Sequence, residues 1–262
     1  MHCVKADRPA SWPHSNLYHI CDLHLGDPAS DYKLICQRIE QVKNDPYAVC
    51  VLNGDILNTA LRNSVSDVYA ETRTPMQQIT DACAILEPIK EKIIAVDTGN
   101  HEARTYREDG IDMMRLICRQ LGIEACYCPE GVLIFLRFGT INGHGRHKDN
   151  PQKQRYSIYA THGSGGGRKE GAKAIRLADM AAIVDADIYL HGHCHLPMVM
   201  KQAFYRTNVS TSTVQIVDKL FVNAGATLDY GGYGQSGEFK PNSKANPIVH
   251  MDAREHNMTA TL

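Results

Sequence analysis

Residues 186–198 have the sequence ADIYLHGHCHLPM, in which an apolar run leads directly into three histidines within five positions. The run has the length and character of a buried β-strand, and the histidines follow where that strand should end. Three imidazoles this close together would repel one another if all were protonated. A shared ligand explains such a cluster, and it predicts further ligating residues elsewhere in the chain.

The size and composition of the chain limit its class. It has 262 residues, 43% of them hydrophobic, so we expect one domain over residues 1–262 with a sizeable core. The net charge of −1 is unlike that of a protein that coats nucleic acid, although a local basic groove is compatible with it. Nine cysteines, several within apolar runs, indicate reduced thiols. The sequence shows no signal peptide and no membrane helix, which predicts a soluble cytoplasmic protein without membrane contact.

Strand and helix patterns alternate in the first half of the chain, and the second half is richer in strands. Helical spacing appears at 31–44, partly at 74–91, and again at 109–122 and 169–184. Strand patterns appear at 16–20, 47–53, 92–97, 131–139, 140–147, 155–160, 186–191, 203–208, 213–225 and 246–253. This order predicts an α/β protein with two β-sheets between helices, in which ligands bind beyond the carboxyl ends of the strands.

Five of the predicted strands are followed at once by side chains that bind metals. These clusters are Asp22-x-His24, Gly54-Asp55, Gly99-Asn100-His101-Glu102, His162 and His193-x-His195. Each cluster alone is common in proteins, but five in succession after apolar strands favour one shared site. Imidazole and carboxylate ligands without cysteine suit Mn²⁺, Fe or Zn²⁺. We therefore expect two divalent cations, with Mn²⁺ the favoured metal, at the spacing of about 3.5–4 Å used in phosphoryl chemistry.

Side-chain alternation along an extended chain would align the paired ligands. It places Asp22 and His24 on one face, and His193 and His195 on one face, with Cys194 turned away as a packing residue. Glycines beside the ligands let the backbone approach closely. By the same alternation His191 lies on the ligand side, and both a role in supporting the metal ligands and a purely structural role stay open.

The ordered motifs resemble the calcineurin-like metallophosphoesterase superfamily over residues 22–195, about two thirds of the chain. The resemblance implies a four-layer αββα sandwich with two mixed β-sheets and a dimetal site at the carboxyl ends of the strands. It also implies two ligand sets that share Asp55, with His101 as the catalytic histidine. The first set is Asp22, His24, Asp55 and His195, and the second is Asp55, Asn100, His162 and His193.

The stretch GDILNTA at 54–60 departs from the pattern of the protein phosphatases, which is Gly-Asp-x-x-Asp-Arg-Gly. It lacks the arginine, and Asn58 stands where that branch has the aspartate that orients the catalytic histidine. A neutral asparagine cannot stabilise an imidazolium as an aspartate does. The departure disfavours a protein phosphatase, and it leaves Glu102 or Asp109 as other partners for His101. The sequence is nearer to the DNA-repair exonuclease and phosphodiesterase branch, which also lacks the arginine.

The resemblance implies hydrolysis of a phosphate ester by in-line attack of a hydroxide that bridges the two cations, with His101 acting on the leaving oxygen. We expect substrate contacts from Arg104, Arg107 and Arg168, the last at the end of the glycine-rich stretch 163–168. A phosphodiesterase or nuclease acting on DNA or RNA is favoured, because basic side chains can follow a phosphate backbone. The other basic residues near the motifs are Arg62, Arg73, Lys90, Lys92, Arg146, Lys148 and Lys169.

Two other functions stay open. A nucleotide or small-molecule phosphomonoesterase would use the same metals. A structural zinc-binding module would favour a closed tetrahedral site with cysteine, which ligands of the Asp, Asn and His types do not form. The sequence does not determine the substrate, the native metal, the oligomeric state, or the roles of His191, His144 and the basic loop 144–148.

Overall fold

The computed structural model describes residues 1–64, 66–139, 154–165 and 167–262, and two β-sheets organise this part of the chain. In spatial order, the strands of the first sheet are β1 (His2–Arg8), β5 (Val132–Phe138), β6 (Arg155–Thr161), β7 (Ile188–His191), β9 (Thr213–Asn223) and β8 (Met198–Asn208). Those of the second sheet are β11 (Met258–Thr261), β10 (Ile248–Asp252), β2 (His14–Ile20), β3 (Ala48–Asn53) and β4 (Ile93–Asp97).

Both sheets are mixed, with parallel strands at their centres. In the second sheet β2, β3 and β4 run parallel, while β10 is antiparallel to β2. In the first sheet β6, β7 and β9 run parallel, β5 is parallel to β1 but antiparallel to β6, and β8 is antiparallel to β9. Parallel strands place their carboxyl ends at one edge of a sheet, so the loops that follow β2, β3 and β4 lie side by side.

Helices cover the outer faces of the two sheets. On the second sheet they are α1 (Tyr32–Asn44), α2 (Pro75–Leu86) and α4 (Met113–Leu121), and on the first sheet α5 (Glu170–Asp179). Two further helices of the described residues are α3 (Asn100–Asp109), which packs on α4, and the short α6 (Gly232–Ser236). The side chains of Asp31, Thr74 and Asp112 accept N–H bonds at the starts of α1, α2 and α4. Gly122 ends α4 in the left-handed conformation, as its sequence position predicts.

Three apolar layers separate the sheets and helices. Ile39, Ile79 and Ile117, from α1, α2 and α4, pack on the outer face of the second sheet. Val51 and Ile158 lie in the middle layer between the sheets. A smaller cluster between the first sheet and α5 is made of Tyr159, Leu177, Met180, Ala186, Tyr189 and Phe221. The expected four-layer αββα sandwich is therefore confirmed.

Some elements differ from the sequence patterns. Strand β1 has no apolar alternation because it is mostly exposed at the sheet edge, and only Ala6 is buried along it. The helical pattern at 74–91 divides into α2 and a 3-10 segment, Glu87–Lys92, which begins beside Pro88. The strand pattern at 140–147 lies outside the described residues. All nine cysteines are free thiols, as expected.

Within the described part of the chain, no helix combines the length and the apolar character that a bilayer crossing requires.

The amphipathic character of α4 gives a direct test of the helix–sheet layer. Ile117 is fully buried, whereas its neighbour Leu116 is 41% exposed. Ile117→Ala should lower the free energy of unfolding by about 2–5 kcal/mol through lost burial and the cavity left behind. Leu116→Ala removes a similar side chain from the surface and should cost less than about 1 kcal/mol. Urea denaturation of both variants measures the difference, and equal losses would contradict the packing of α4.

Candidate metal centre

The predicted ligands follow five strands drawn from both sheets. Asp22 and His24 follow β2, Asp55 follows β3, and Asn100 begins α3 just after β4. The remaining three come from the first sheet, namely His162 after β6, and His193 and His195 after β7. The structure brings all seven together at one end of the sandwich.

Their ligand atoms form compact groups. Three sets of side chains each have nitrogen or carboxylate oxygen atoms within 4.8 Å of one another. The sets are Asp22, His24 and His195; Asp55, His162 and His193; and His24, Asp55 and His101. The first two match the sets implied by the resemblance, except that the first lacks Asp55 and the second lacks Asn100.

The backbone of the ligand loops is strained, and this corrects the expected reason for their alignment. Five ligands have positive φ angles, in the left-handed region that side chains rarely adopt: Asp22 (53°), His24 (49°), Asp55 (49°), His193 (62°) and His195 (53°). Alternation along an extended chain therefore does not align them, because the chain has already left the strand. Such residues cost about 1–3 kcal/mol each and persist where the surrounding structure holds them.

In the first group a carboxylate oxygen faces two imidazoles. Asp22 Oδ1 lies 3.1 Å from His195 Nε2, and the two Nε2 atoms of His24 and His195 are 3.2 Å apart. Asp22 Oδ2 accepts from the Cys21 thiol and from His193 N, but the buried Oδ1 has no hydrogen-bond partner. Burial lowers the pKa of His24 well below its usual value, which favours the neutral ring that binds metals. An unsatisfied oxygen beside two imidazole nitrogens fits a divalent cation.

In the second group backbone carbonyls fix the imidazole tautomers. His162 Nδ1 donates to Asn53 O at 2.7 Å, and His193 Nε2 donates to Gly165 O at 3.1 Å. Because a carbonyl only accepts, the other nitrogen of each ring presents a lone pair to the centre. Asn100 Oδ1 lies 3.2 Å from His162 Nε2 and 2.7 Å from His193 Nδ1. This donor set also fits a divalent cation.

Asp55 is the carboxylate shared between groups. Its Oδ2 atom lies 3.2 Å from His162 Nε2, and it belongs to a second group with His24. Two glycines make room for it: a Cβ on Gly54 would lie 2.4 Å from Gly99 N, and one on Gly99 would lie 2.0 Å from Asp55 Oδ1. Only glycine allows this close contact of two loops.

Glu102 supports the Asp55 loop and does not contact the His101 ring. Its carboxylate accepts backbone N–H bonds from Asp55 (3.1 Å), Leu57 (2.8 Å) and Gly99 (3.1 Å). Burial, followed by the nearby Asp55, raises the pKa of Glu102 to about 7. The expectation that Glu102 is a partner for the His101 ring is wrong, because its oxygens are directed at backbone groups.

The partner of His101 is instead a backbone atom of Asn58. His101 Nδ1 donates to Asn58 O at 2.7 Å and also lies 2.5 Å from Arg104 Nη2. His101 Nε2 lies 3.8 Å from Asp55 Oδ2. The ring also packs edge-on against His24, with centroids 4.5 Å apart. The Asn58 carbonyl thus orients the His101 ring, a role that the neutral Asn58 side chain does not take. No sequence signal marks it, because every residue has a carbonyl.

An open cleft of about 880 Å³ lies over His24, His101 and His195. Of the three arginines expected to bind substrate, only Arg104 lines it. Arg107 is exposed on α3, and the Arg168 guanidinium stacks over the Phe239 ring at 5.0 Å.

His191 has a structural environment. It is buried at the end of β7, its Nδ1 lies 2.8 Å from Asn223 Oδ1, and it belongs to none of the three ligand groups of the described residues. A Cβ on Gly163 would lie 2.0 Å from His191 Nε2, so the ring packs against this loop. The basic loop 144–148, with His144, Arg146 and Lys148, lies outside the described residues.

Sequence reasoning missed several polar residues that support the centre. Asn53 holds His162 through its carbonyl, and its side chain donates to Thr161 O at 3.1 Å. His19 lies 2.8 Å from the Asn53 amide. Both are buried strand residues in β2 and β3, where a polar side chain within an apolar run was the one available signal.

No protein-family model matches the chain, and no curated protein matches it. Solved structures that resemble it include a predicted phosphoesterase from Streptococcus pneumoniae, with 16% identity over 96% of this chain and 99% of the other, at a TM-score of 0.35. A Vps29 double mutant from Entamoeba histolytica has 12% identity over 94% and 89%, at a TM-score of 0.45. The Zn²⁺ complex of wild-type Vps29 from the same organism has 12% identity over 94% and 97%, at a TM-score of 0.40.

The shared position of Asp55 predicts its effect on metal content. Asp55→Ala should reduce bound Mn²⁺ from two ions per chain to well below two, since Asp55 belongs to two of the three ligand groups. Isothermal titration and elemental analysis of the metal-loaded protein measure this. Asp109→Ala, which removes an exposed carboxylate of α3, is the control and should keep both ions. Mn²⁺ should restore the chelated protein more readily than Mg²⁺, because imidazole suits Mn²⁺ better. Unchanged stoichiometry in Asp55→Ala would remove Asp55 from the bridging role.

Proposed function

We propose that this protein is a dinuclear metal-dependent phosphoesterase that hydrolyses phosphodiesters. The observation that carries the proposal is the arrangement of three overlapping N/O ligand groups, two of which contain Asp55, with the His101 ring at the edge of an open cleft. Two divalent cations in such a site lower the pKa of water and neutralise the oxygens of a phosphoryl group. The resemblance of the motifs to the calcineurin-like metallophosphoesterases supports the same reaction class.

The chain's own residues supply the proton for the leaving group. His101 Nδ1 is held by Asn58 O, so His101 Nε2 is the nitrogen that can exchange a proton with substrate. Burial lowers the pKa of His101, Asp55 opposes this shift, and Arg104 adds to it. In the protonated ring, Nε2–H can give its proton to a developing alkoxide, which leaves the neutral ring with its proton on Nδ1. Arg104, whose Nη2 also donates to Asn58 O, adds a fixed positive charge to the cleft.

The charge of the cleft favours a diester over a monoester. Its lining includes Asp27, Asp67 and Asp229, and Arg104 is the one Lys or Arg among the described lining residues. Lys244 lies outside that lining and pairs with Asp229. A phosphomonoester dianion carries one more negative charge than a phosphodiester, so these carboxylates penalise it more.

A nucleic acid substrate, the first choice from sequence, has less support from the described residues. Lys92 donates to the carbonyls of Val42 and Lys43 near the end of α1, and Lys90 pairs with Glu87. Arg73 pairs with Asp81 on α2. A continuous basic track along the cleft is what a polynucleotide would require. We therefore favour small phosphodiesters, and nuclease activity stays a prediction to be tested.

A structural zinc module has no feature in its favour. The three ligand groups found among the described residues contain no cysteine, and the open cleft leaves the centre accessible. Structural zinc sites are closed and tetrahedral. Two exchangeable ions per chain, against one tightly held ion, distinguish the enzyme from that module.

His101 gives the main test of the mechanism. His101→Ala should lower kcat by roughly 10²–10⁴-fold on an alkyl phosphodiester, the range for loss of a general acid. The loss should be much smaller on bis-nitrophenyl phosphate, because nitrophenolate leaves without a proton. Steady-state kinetics under Mn²⁺ measure both, and elemental analysis should find two ions retained. Loss of metal in this variant would make His101 a ligand and contradict the assignment.

A substrate panel tests the preference for small diesters. The wild-type protein with Mn²⁺ should hydrolyse bis-nitrophenyl phosphate faster than nitrophenyl phosphate, and its rates should change little with salt. Oligonucleotide cleavage that is fast at low salt and falls steeply as salt rises would favour the nuclease instead, because phosphate contacts release counterions. A clear preference for nitrophenyl phosphate would favour a phosphomonoesterase.

A further inference from the structure

The carbonyl oxygen of Asn58 is the common acceptor for two groups of the proposed site. His101 Nδ1 donates to it at 2.7 Å and Arg104 Nη2 donates to it at 2.5 Å. Arg104 Nη2 also lies 2.5 Å from His101 Nδ1, so the two groups are packed around one acceptor. Because a carbonyl only accepts, its bond to His101 requires a proton on Nδ1, and the direction of this one carbonyl sets the placement of both groups. A backbone carbonyl turns with its peptide plane, so whatever fixes that plane also fixes the ring.

The peptide after Asn58 is held in a strained conformation. Thr59 has a φ of 42°, in the left-handed region where a β-branched residue is an outlier. Its hydroxyl donates to His101 O at 2.6 Å, and its N–H donates to Gln78 Oε1 at 3.0 Å. Both Asn58 and Thr59 are 2% exposed. Strain of this kind needs a fixed surrounding.

Glu71 supplies much of that surrounding. Its Oε1 atom accepts from Asn58 Nδ2 at 2.6 Å and from Ala60 N at 3.0 Å, so it holds the residues on both sides of Thr59. Its Oε2 atom accepts from Gln78 Nε2, the same side chain that accepts from Thr59 N. Burial raises the pKa of Glu71, and the three N–H donors directed at its carboxyl group act in the opposite direction.

The position of Glu71 is itself fixed. The next residue, Thr72, donates from its N–H to Gly26 O at 2.9 Å and from its hydroxyl to the same oxygen at 3.0 Å. Gln78 is fully buried on α2, and a Cβ on Gly26 would lie 2.4 Å from its Nε2 atom. The Glu71 carboxylate is thus held by a buried residue of α2, and not only by the loop that contains Glu71.

We propose that Glu71 is a positioning residue for the proposed reaction, and that it acts on His101 through the Asn58 carbonyl. The assignment rests on the proposed phosphodiesterase function. Glu71 forms none of the three ligand groups found among the described residues and is not a cleft-lining residue, so it is not itself catalytic. Its effect on the reaction is confined to the orientation of the general acid.

Glu71→Ala tests the assignment by leaving-group dependence. It should lower kcat about 10–100-fold on an alkyl phosphodiester, the lower part of the range for a general acid, since His101 is misplaced and not removed. On bis-nitrophenyl phosphate the loss should stay below about threefold, with KM and bound Mn²⁺ unchanged. Glu71→Gln keeps one oxygen for Asn58 and Ala60 and should recover most of the activity.

Glu108→Ala is the matched control. Glu108 anchors the same loop through one exposed bond from Asn63 Nδ2, at 3.0 Å, and does not contact Asn58. Glu108→Ala should leave kcat on both substrates unchanged.

If Glu71→Ala does not fold, Asn58→Ala removes the bond to Glu71 while keeping the carbonyl, and it should give the same leaving-group pattern. Equal losses on both substrates, or no loss on either, would overturn the proposal.

The ring nitrogens of His101 provide a readout that does not need activity. In the wild-type protein, nitrogen–proton correlation spectra of histidine side chains should show the Nδ1–H tautomer of His101. In Glu71→Ala the tautomers should mix, whereas in Glu108→Ala they should not. An unchanged tautomer in Glu71→Ala would overturn the positioning role. If the wild-type protein hydrolysed no phosphodiester while the tautomer still changed, the proposed function would fail and the link between Glu71 and His101 would stand.

Discussion

The burial of negative charge at the end of the sandwich is the constraint on which the rest of the site depends. Asp22 and Asp55 are almost fully buried, and the side chains around them are mainly imidazoles, which are neutral near pH 7 unless a carboxylate holds their proton. Burying a carboxylate without a partner is very unfavourable. Divalent cations would supply the missing positive charge, and the inward arrangement of the nitrogen and oxygen ligands fits this imbalance.

The surrounding structure keeps the ligands in place by means that are mostly backbone. Carbonyls of Asn53, Gly165 and Asn58 hold three histidine rings in one tautomer each. Glu102 binds backbone N–H groups on both sides of the Gly54–Gly99 contact. Interactions of this kind leave side-chain nitrogens and oxygens free for ligands, which is why a site built from ordinary residue types can bind metal and substrate together.

Periodicity and strand ends made the layers and most of the ligand positions predictable from sequence. The apolar pattern of α4 and its capping residues Asp112 and Gly122 depend on local chemistry, so the position of this helix could be predicted from the sequence. The left-handed backbone at Asp22 and His193 was not predictable, because it depends on contacts between loops of different sheets. The carbonyl of Asn58 was not predictable either, since its role lies in the peptide and not in the side chain. The position of Lys92 was not predictable for a related reason: it is near the ligands in sequence, but it precedes β4, whose first residue lies at the opposite end of the sheet from the ligands.

The origin of the ligands in two sheets has a consequence for the chain as a polymer. His24 and His195 face each other although 171 residues separate them along the sequence. A cation held by both closes a very long loop, and closing such a loop restricts the disordered chain in the way a cross-link does. The same ions that would activate a phosphate ester would therefore also act as a reversible cross-link between the first and last thirds of the chain. Withdrawal of the ions would loosen the contact of the two sheets at this end first, while the apolar layer between them continued to hold the opposite end together.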